Sequence, residues 1–123
     1  MRIVDKPWGR EVWLELNEKY CFKKIHLNAG QRTSFQYHRE KMETSYFLSG
    51  QAEVWLENDL GEVEKKVMCA GDYYTALPLR KHRVIAITDT VYLEASTPEV
   101  DDVVRIQDDF GRLDGRVGSE NKQ

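Results

Sequence analysis

The feature of this sequence that most restricts its fold is the spacing of its apolar residues. They occur in short runs separated by turn-forming residues, and no stretch repeats them at helical spacing over three turns. The predicted strands are 10–16, 19–27, 33–38, 44–50, 52–58, 62–68, 73–77, 82–88 and 91–96, with one more after Thr97. Short strands at even spacing are typical of antiparallel barrels and sandwiches. The chain is therefore predicted to be all-β.

The length of the chain limits its domain organisation. Its 123 residues suit one domain with a buried core and are too few for two ordinary domains. Residues 1–112 are expected to form this domain, because the segment that follows, "LDGRVGSENKQ", is polar and contains glycine. Residues 113–123 are accordingly predicted to be a disordered tail.

The net charge and the cysteines of the chain indicate which binding partners and which cellular compartment to expect. The formal net charge is -3, so no nucleic acid partner is expected. The N-terminal "MRIVDKPWGREVW" lacks the apolar run of a signal peptide or a membrane span, and no membrane partner is expected either. Cys21 and Cys69 lie far apart and form no CxxC pair. The protein is expected in the cytoplasm with both thiols free.

The segment "GQRTSFQYHREKMETSYFLSG", residues 30–50, carries several side chains that can bind a metal ion. Gln36 and His38 are two residues apart on a predicted strand, so their side chains share one face. A turn before Glu43 can return its carboxylate to that face. Mixed imidazole, carboxylate and carbonyl donors suit Zn²⁺, Co²⁺, Ni²⁺, Fe²⁺ or Mn²⁺ better than Ca²⁺. A divalent metal of this group is the predicted cofactor.

Two separated motifs resemble those of the cupin superfamily. The segment 30–50 resembles the first cupin motif, a glycine, a His-x-His pair, a glutamate and a closing glycine, with Gln36 in place of the first histidine. The stretch "GDYYTALPLRKH" resembles the second motif, a glycine, a proline and a histidine, which is His82. The resemblance implies a single-domain cupin barrel, also called a double-stranded β-helix or jelly roll. It implies that the metal ligands are Gln36, His38, Glu43 and His82.

Within the cupins, the chain resembles the C-terminal domain of type II mannose-6-phosphate isomerases from Lys6 to Arg112. The stretches that carry this resemblance are "KPWGREVW", "SFQYH" and "DDVVRIQDDFGR". It implies aldose–ketose isomerisation of a phosphorylated or nucleotide-linked sugar, in which a metal holds the sugar oxygens while a base moves a proton through an enediol. Lys41, where the isomerases usually carry arginine, and Arg105 are the expected catalytic and substrate-binding residues. Lys41 or a tyrosine is the expected acid or base.

Two other functions are compatible with these motifs. A non-catalytic regulatory cupin that binds a metal and a sugar would tolerate lysine in place of the family's arginine. A metal-free sugar-nucleotide epimerase or ketoisomerase would need a histidine–aspartate base pair, which the sequence does not identify. Some type II isomerases are bifunctional, but no nucleotidyltransferase half is recognised in this sequence, so guanylyltransferase activity is not expected.

The remaining charged and aromatic residues receive structural interpretations. Most tryptophans and tyrosines are expected to pack in the core or an interface. The four strand lysines Lys23, Lys24, Lys65 and Lys66 are predicted to be solvated, and His26 is expected at the rim of a strand. A homodimer is expected, because "KPWGREVW" has tryptophans to bury and small cupins commonly pair.

Overall fold

The computed structural model describes residues 2–107 and contains strands and turns but no helix within them. The strands are β1 (Arg2–Lys6), β2 (Gly9–Leu16), β3 (Cys21–Leu27), β4 (Phe35–His38), β5 (Glu43–Ser49), β6 (Gln51–Glu57), β7 (Val63–Cys69), β8 (Tyr73–Ala76), β9 (His82–Ala86), β10 (Thr90–Ser96) and β11 (Val103–Gln107). The all-β prediction is confirmed. The predicted domain boundary at residue 112 and the predicted tail 113–123 lie outside the described residues.

The strands form two antiparallel sheets. One sheet has six strands in the order β1-β2-β3-β10-β5-β8, and the other has five in the order β11-β4-β9-β6-β7. Neighbours in a sheet are often distant in sequence, as when β10 pairs with both β3 and β5. The segment 30–50 contains β4 of the five-stranded sheet and β5 of the six-stranded sheet, and the segment 71–82 contains β8 and the first residue of β9. Each segment thus contributes to both sheets, which brings the polar residues of both segments to the space between the two sheets.

The strand missed by sequence analysis is β1. It pairs with β2 from Arg2 opposite Trp13 to Lys6 opposite Gly9. Val4 is its one buried apolar residue, because β1 lies at the edge of its sheet and its other side chains are polar or exposed. A single buried residue produces too weak an alternation to predict a strand.

The core lies between the inner faces of the two sheets. It includes Ile25 and Phe47 from the six-stranded sheet and Val54 and Val84 from the five-stranded sheet. Trp8 and Trp13 are also buried within this one chain, with 5% and 4% of their surface exposed. These tryptophans therefore need no partner chain to cover them, and the homodimer remains a prediction that requires another reason.

Two further sequence expectations concern membranes and thiols. Among residues 2–107 there is no helix with the length and apolar character needed to cross a membrane. Cys21 is buried, Cys69 is half-buried, and both are free cysteines, as predicted.

Candidate metal centre and binding cavity

A polar cavity, partly open to solvent, lies between the two sheets. All six residues singled out as ligands or catalytic groups line it: Gln36, His38, Lys41, Glu43, His82 and Arg105. Other polar or aromatic residues in its wall are Lys6, Trp8, Glu11, Lys23, Thr33, Tyr74, Tyr92 and Glu94. The cavity therefore combines donors for a metal with several buried charges.

The strand pairing explains how the metal-binding side chains converge. Gln36 and His38 share one face of β4, and Gln36 lies opposite His82 at the start of β9. Glu43 is the first residue of β5 in the other sheet and is buried. The ring centroids of His38 and His82 are 5.5 Å apart. Side chains from both sheets thus meet at one end of the cavity.

One carboxylate oxygen lies between the two imidazole rings. Glu43 Oε1 is 2.8 Å from His82 Nε2 and 3.6 Å from His38 Nε2. The possible ligand atoms of the three residues lie within 4.8 Å of one another, and all three side chains are buried. Two imidazoles and one carboxylate can hold a divalent ion with coordination positions left for a substrate. We call His38, Glu43 and His82 the triad.

The hydrogen bonding of His82 favours a cation within the triad. Its Nδ1 lies 2.9 Å from the carbonyl oxygen of Arg80, which can only accept, so Nδ1 carries the proton. In the neutral ring, the lone pair of Nε2 then faces the carboxylate of Glu43. Glu43 Oε1 is 2.8 Å away, but a lone pair on Nε2 cannot donate to it, and Nε2 is buried without another hydrogen-bond partner among residues 2–107. A metal ion would satisfy both groups, because buried unpaired polar atoms are costly.

His38 also has buried nitrogen atoms that a metal ion would satisfy. Both of its ring nitrogens are buried without a hydrogen-bond partner in the described part of the chain. Burial lowers the pKa of His38, and this effect exceeds the opposing attraction of Glu43. The ring is therefore favoured in its neutral form, which is the form that binds metals. The residues present fit a divalent ion.

Lys41 forms the second contact of the Glu43 carboxylate. Its Nζ is 3.2 Å from Glu43 Oε2 and 3.9 Å from Glu94 Oε1, and the residue is buried. Burial lowers the pKa of Lys41, but Glu94, Glu43 and Glu11 raise it by more. Burial likewise raises the pKa of Glu43, but Lys41 and its other partners bring it well below the usual range. Lys41 and Glu43 are therefore a charged pair.

A single aspartate fixes the loop that carries Lys41. Asp102 Oδ2 accepts the backbone N–H groups of Glu40 and Lys41 at 2.7 and 2.9 Å, and Oδ1 accepts that of Arg39 at 3.2 Å. Burial raises the pKa of Asp102, but these three hydrogen bonds lower it by more. The position of Lys41 in the cavity therefore depends on a carboxylate that precedes β11.

Sequence analysis missed an ion pair in the cavity wall. Lys23 was expected to be solvated, and this prediction is wrong: 3% of the residue is exposed. Its Nζ is 3.2 Å from Glu11 Oε1 and 4.3 Å above the ring of Trp13. Burial raises the pKa of Glu11, but Lys23 and Lys6 lower it by more. The signal was present in β3, where Lys23 alternates with buried Cys21 and Ile25.

Glu94 is a second cavity residue that sequence analysis missed. It lies opposite Lys23 on β3 and Ser45 on β5, so it occupies the inner face of the six-stranded sheet. Burial and the charge of Glu43 raise the pKa of Glu94 to about 8. Its alternation with buried Tyr92 on β10 was the available signal.

Gln36 and Arg105 lie beside the triad on the five-stranded sheet. Arg105 on β11 is opposite Gln36 on β4, which is in turn opposite His82 on β9. Neighbouring strands are about 4.8 Å apart, so the backbones of Arg105 and His82 are about 10 Å apart. Gln36 Oε1 accepts a hydrogen bond from Ser34 Oγ at 2.5 Å. The ligand role of Gln36 and the substrate role of Arg105 stay predictions.

The family of the chain follows from a match over most of its length. The family model described as "Mannose-6-phosphate isomerase C-terminal" matches residues 1–108. The chain belongs to this family. Two relatives are mannose-1-phosphate guanylyltransferase of Escherichia coli and ManC of Salmonella typhimurium, each 30% identical over 120 residues. The alignments cover 91% of this chain and 23% of each relative, so this member of the family spans about a quarter of their length.

Solved structures show the same architecture at low sequence identity. KdgF from Halomonas sp. has a TM-score of 0.70 and 19% identity, over 82% of this chain and 91% of KdgF. Oxalate decarboxylase from Bacillus subtilis has a TM-score of 0.68 and 18% identity, over 79% of this chain and 27% of that one. These likenesses show the fold, and the predicted cupin barrel is confirmed.

Proposed function

We propose that this protein is a metal-dependent isomerase that interconverts the aldose and ketose forms of a phosphorylated or nucleotide-linked sugar. The observation that carries the proposal is the triad, whose possible ligand atoms lie within 4.8 Å of one another in a cavity also lined by Lys41 and Arg105. Membership of the isomerase C-terminal family supports a sugar phosphate as the substrate class. The proposed site of action is the cytoplasm.

The proposed ligands are His38, Glu43 and His82, with Gln36 as a fourth. A divalent ion bound there supplies a Lewis acid for the carbonyl and hydroxyl oxygens at C1 and C2 of the sugar. Arg80 contributes through its backbone carbonyl, which fixes the proton of His82 on Nδ1 and leaves Nε2 for coordination. Gln36 would have to share its amide oxygen with Ser34 in order to bind the ion.

Proton transfer between C1 and C2 needs a donor and an acceptor near the triad. The raised pKa of Lys41 keeps this residue protonated, so its proposed role is to stabilise the negative charge that develops on the sugar oxygens during the transfer. Burial and nearby Glu43 also raise the pKa of Tyr74, so its hydroxyl stays neutral and can donate a hydrogen bond to a sugar oxygen. Glu11 and Glu94 are the cavity carboxylates outside the triad among the described residues. Glu94, whose pKa is raised to about 8, is the proposed donor, and Glu11, whose pKa is lowered, is the proposed acceptor.

Recognition of the anionic group is assigned to Arg105. Lys41 adds to the positive charge of the cavity, although it is already paired with Glu43 and faces Glu94. Arg105 is buried in the cavity wall about two strands from His82. A guanidinium group can bind a phosphate with two parallel hydrogen bonds. A sugar phosphate could therefore place its oxygens at the triad and its anionic group towards β11.

A non-catalytic metal- and sugar-binding cupin is the second candidate. The pairing of Lys41 with Glu43 favours it, because an ammonium held in this way is less available for chemistry. The metal-free epimerase receives less support, since neither His38 nor His82 hydrogen-bonds an aspartate within residues 2–107. Asp102 accepts three backbone amides instead.

The test begins with metal analysis of protein purified without added metal. The metal found would then be restored to protein stripped with a chelator, and a set of aldose and ketose phosphates would be screened for interconversion. Turnover that depends on the metal and is lost in His82→Ala supports the isomerase. Metal and sugar phosphate binding without turnover favours the binding cupin, and failure to bind a divalent metal contradicts both.

A further inference from the structure

Glu57, at the end of β6, hydrogen-bonds the chain segment that leads into His82. Its Oε1 atom accepts the backbone N–H of Lys81 at 3.1 Å, and its own N–H donates to the carbonyl oxygen of Lys81 at 2.9 Å. Glu57 is half-buried and does not line the cavity. Any effect of Glu57 on the triad must therefore pass through the segment that it holds.

The Arg80–Lys81 peptide group joins Glu57 to the imidazole of His82. The N–H of this group donates to Glu57 Oε1, and its C=O, the carbonyl of Arg80, lies 2.9 Å from His82 Nδ1. A peptide group is planar, so its C=O and N–H turn together. A carboxylate that holds the N–H consequently fixes the direction of the carbonyl that orients the ring.

The turn before this peptide group is strained. Residues 77–80 form it, and the N–H of Arg80 donates to the carbonyl of Leu77 at 3.2 Å. Pro78 is its second residue and Leu79, with a φ of 69°, its third. Among the described residues, Leu79 is the one non-glycine residue with a positive φ. A positive φ at the third position is typical of a type II turn, where glycine is usual because a Cβ is strained.

The strained turn contacts both histidines of the triad. The N–H of Leu79 donates to the backbone carbonyl of His38 at 2.7 Å, and the carbonyl of Arg80 accepts from the ring of His82. Backbone strain persists where the surrounding structure fixes it, and such strain is concentrated at functional sites. The hydrogen bonds that fix this turn therefore also fix the separation of the two imidazoles.

The side chain of Arg80 contributes less to this arrangement than Glu57 does. Its Nη2 atom is 2.6 Å from Asp59 Oδ1, but the side chain of Asp59 is 90% exposed, and exposed ion pairs stabilise little. The group that contacts His82 is the backbone carbonyl rather than the guanidinium. The Glu57 carboxylate, by contrast, binds the peptide group itself.

We propose that Glu57 is a positioning residue of the triad, which orients His82 through the Arg80–Lys81 peptide group. A carboxylate that accepts the N–H also polarises the peptide group, so its carbonyl becomes a stronger acceptor. His82 then keeps its proton on Nδ1 and presents Nε2 to the triad. This role of Glu57 rests on the ligand role proposed for His82, and it extends the metal site to a strand end outside the cavity.

The ring nitrogen chemical shifts of His82, measured by NMR on the metal-free full chain, distinguish the two neutral tautomers. At about pH 8.5, where an ordinary histidine is neutral, the wild type should show the Nδ1–H tautomer. Glu57→Leu should give a mixture of both tautomers, whereas Glu57→Gln, which keeps an oxygen acceptor, should resemble the wild type. Glu53→Leu is the matched control, since Glu53 also lies on β6 and accepts one N–H, that of the Trp55 indole at 2.8 Å.

Titration with Co²⁺ gives the second measurement. The dissociation constant should rise by about 10-fold or more in Glu57→Leu and stay unchanged in Glu57→Gln and Glu53→Leu. Melting temperatures identify a variant that does not fold, and Glu57→Ala then replaces Glu57→Leu.

A lower melting temperature of Glu57→Leu with the tautomer and the Co²⁺ affinity of the wild type would mean that Glu57 only stabilises the fold, and this overturns the proposal. A wild type with the His82 proton on Nε2 also overturns it. If the wild type binds no Co²⁺, the proposed function fails, and the tautomers of the metal-free proteins alone decide the role of Glu57.

Discussion

Lys41 Nζ lies 3.2 Å from Glu43 Oε2, while Oε1 of the same carboxylate lies 2.8 Å from His82. One oxygen of Glu43 therefore faces the proposed metal position and the other faces an ammonium group. Both cations would neutralise the same buried carboxylate. The metal site and the charge of Lys41 are coupled for this reason, and removing either one should affect the other.

Removal of a triad side chain should abolish metal binding. His38→Ala, Glu43→Ala and His82→Ala each delete one of three proposed ligands, so the affinity for the native metal should fall by more than about 100-fold. Metal content after dialysis and titration calorimetry would measure the loss. His26→Ala is the control, because this half-buried histidine lies outside the cavity lining. Wild-type metal content in His38→Ala would contradict the assignment of the triad.

Replacement of Lys41 should destabilise the protein in a metal-dependent way. Lys41→Met leaves Glu43 without its ammonium partner, and breaking a buried pair costs about 3–5 kcal/mol in the free energy of unfolding. Added metal should stabilise this variant more than the wild type, because it then supplies the missing positive charge. Urea unfolding with metal and with chelator measures both effects.

The same variant tests the role of Lys41 towards ligands. It should still bind one metal but bind a sugar phosphate more weakly. Lys24→Met provides the control, since Lys24 is a lysine on β3 that is absent from the cavity wall. Equal stabilisation of variant and wild type by metal would show that the two cations are not coupled.

Asp102 should stabilise the protein at neutral pH but not in acid. Its pKa is lowered from the ordinary value of 3.8 on folding, so its contribution is complete above that value and is lost as the pH falls through the lower folded pKa. At pH 7, Asp102→Asn should lower the free energy of unfolding by about 1–3 kcal/mol, because an amide replaces a carboxylate that accepts three N–H groups.

The difference in the free energy of unfolding between Asp102→Asn and the wild type should become smaller when unfolding is measured at a pH below the ordinary aspartate pKa. Asp59→Asn is a suitable control, because the side chain of Asp59 is 90% exposed and pairs only with Arg80 among the described residues. If the two proteins differ by the same free energy of unfolding from neutral to acid pH, the charge of Asp102 is unimportant for the stability of the loop that carries Lys41.

Local pattern was sufficient to place His38 and Glu43 of the triad on one surface. His38 and Glu43 belong to one short segment, and the alternation of β4 with the turn before β5 brings them together. His82 needed the second motif as well, because it lies on another strand of the same sheet as His38. His38 and Glu43 could therefore be chosen from spacing and residue type, whereas His82 was chosen from the resemblance to the second cupin motif. The ligand role of all three is a prediction for the metal measurements.

The buried charges could not be found in the same way. Lys23 and Glu94 lie in register on β3 and β10, which are far apart in sequence. Lysine and glutamate on a strand are usually solvated, so the alternation within each strand is a weak signal until the pairing of the two strands is known. Their burial depends on the opposite charges that the fold brings near them, Glu11 for Lys23 and Lys41 for Glu94. Alternation within β3 and β10 can indicate the inner face, but it does not show which opposite charge will compensate the buried one.

The glycine that closes the first motif should be far less tolerant than the glycine that opens the second. Gly50 and Gly71 both have positive φ angles, 85° and 92°, so alanine is strained at either position. A Cβ at Gly50 would lie 2.2 Å from the carbonyl oxygen of Asp89, whereas one at Gly71 would have no atom within 4 Å. The backbone that precedes β10 would have to move only in Gly50→Ala.

We therefore expect Gly71→Ala to cost about 1 kcal/mol in the free energy of unfolding, from backbone strain alone. Gly50→Ala should cost at least about 2 kcal/mol more, because backbone atoms cannot be displaced as easily as a flexible side chain. Urea unfolding of the two variants under identical conditions measures the difference. Equal losses would mean that the turn between β5 and β6 can separate from Asp89 without strain. A larger loss in Gly50→Ala would show that this close approach holds β10, and with it Glu94, in position.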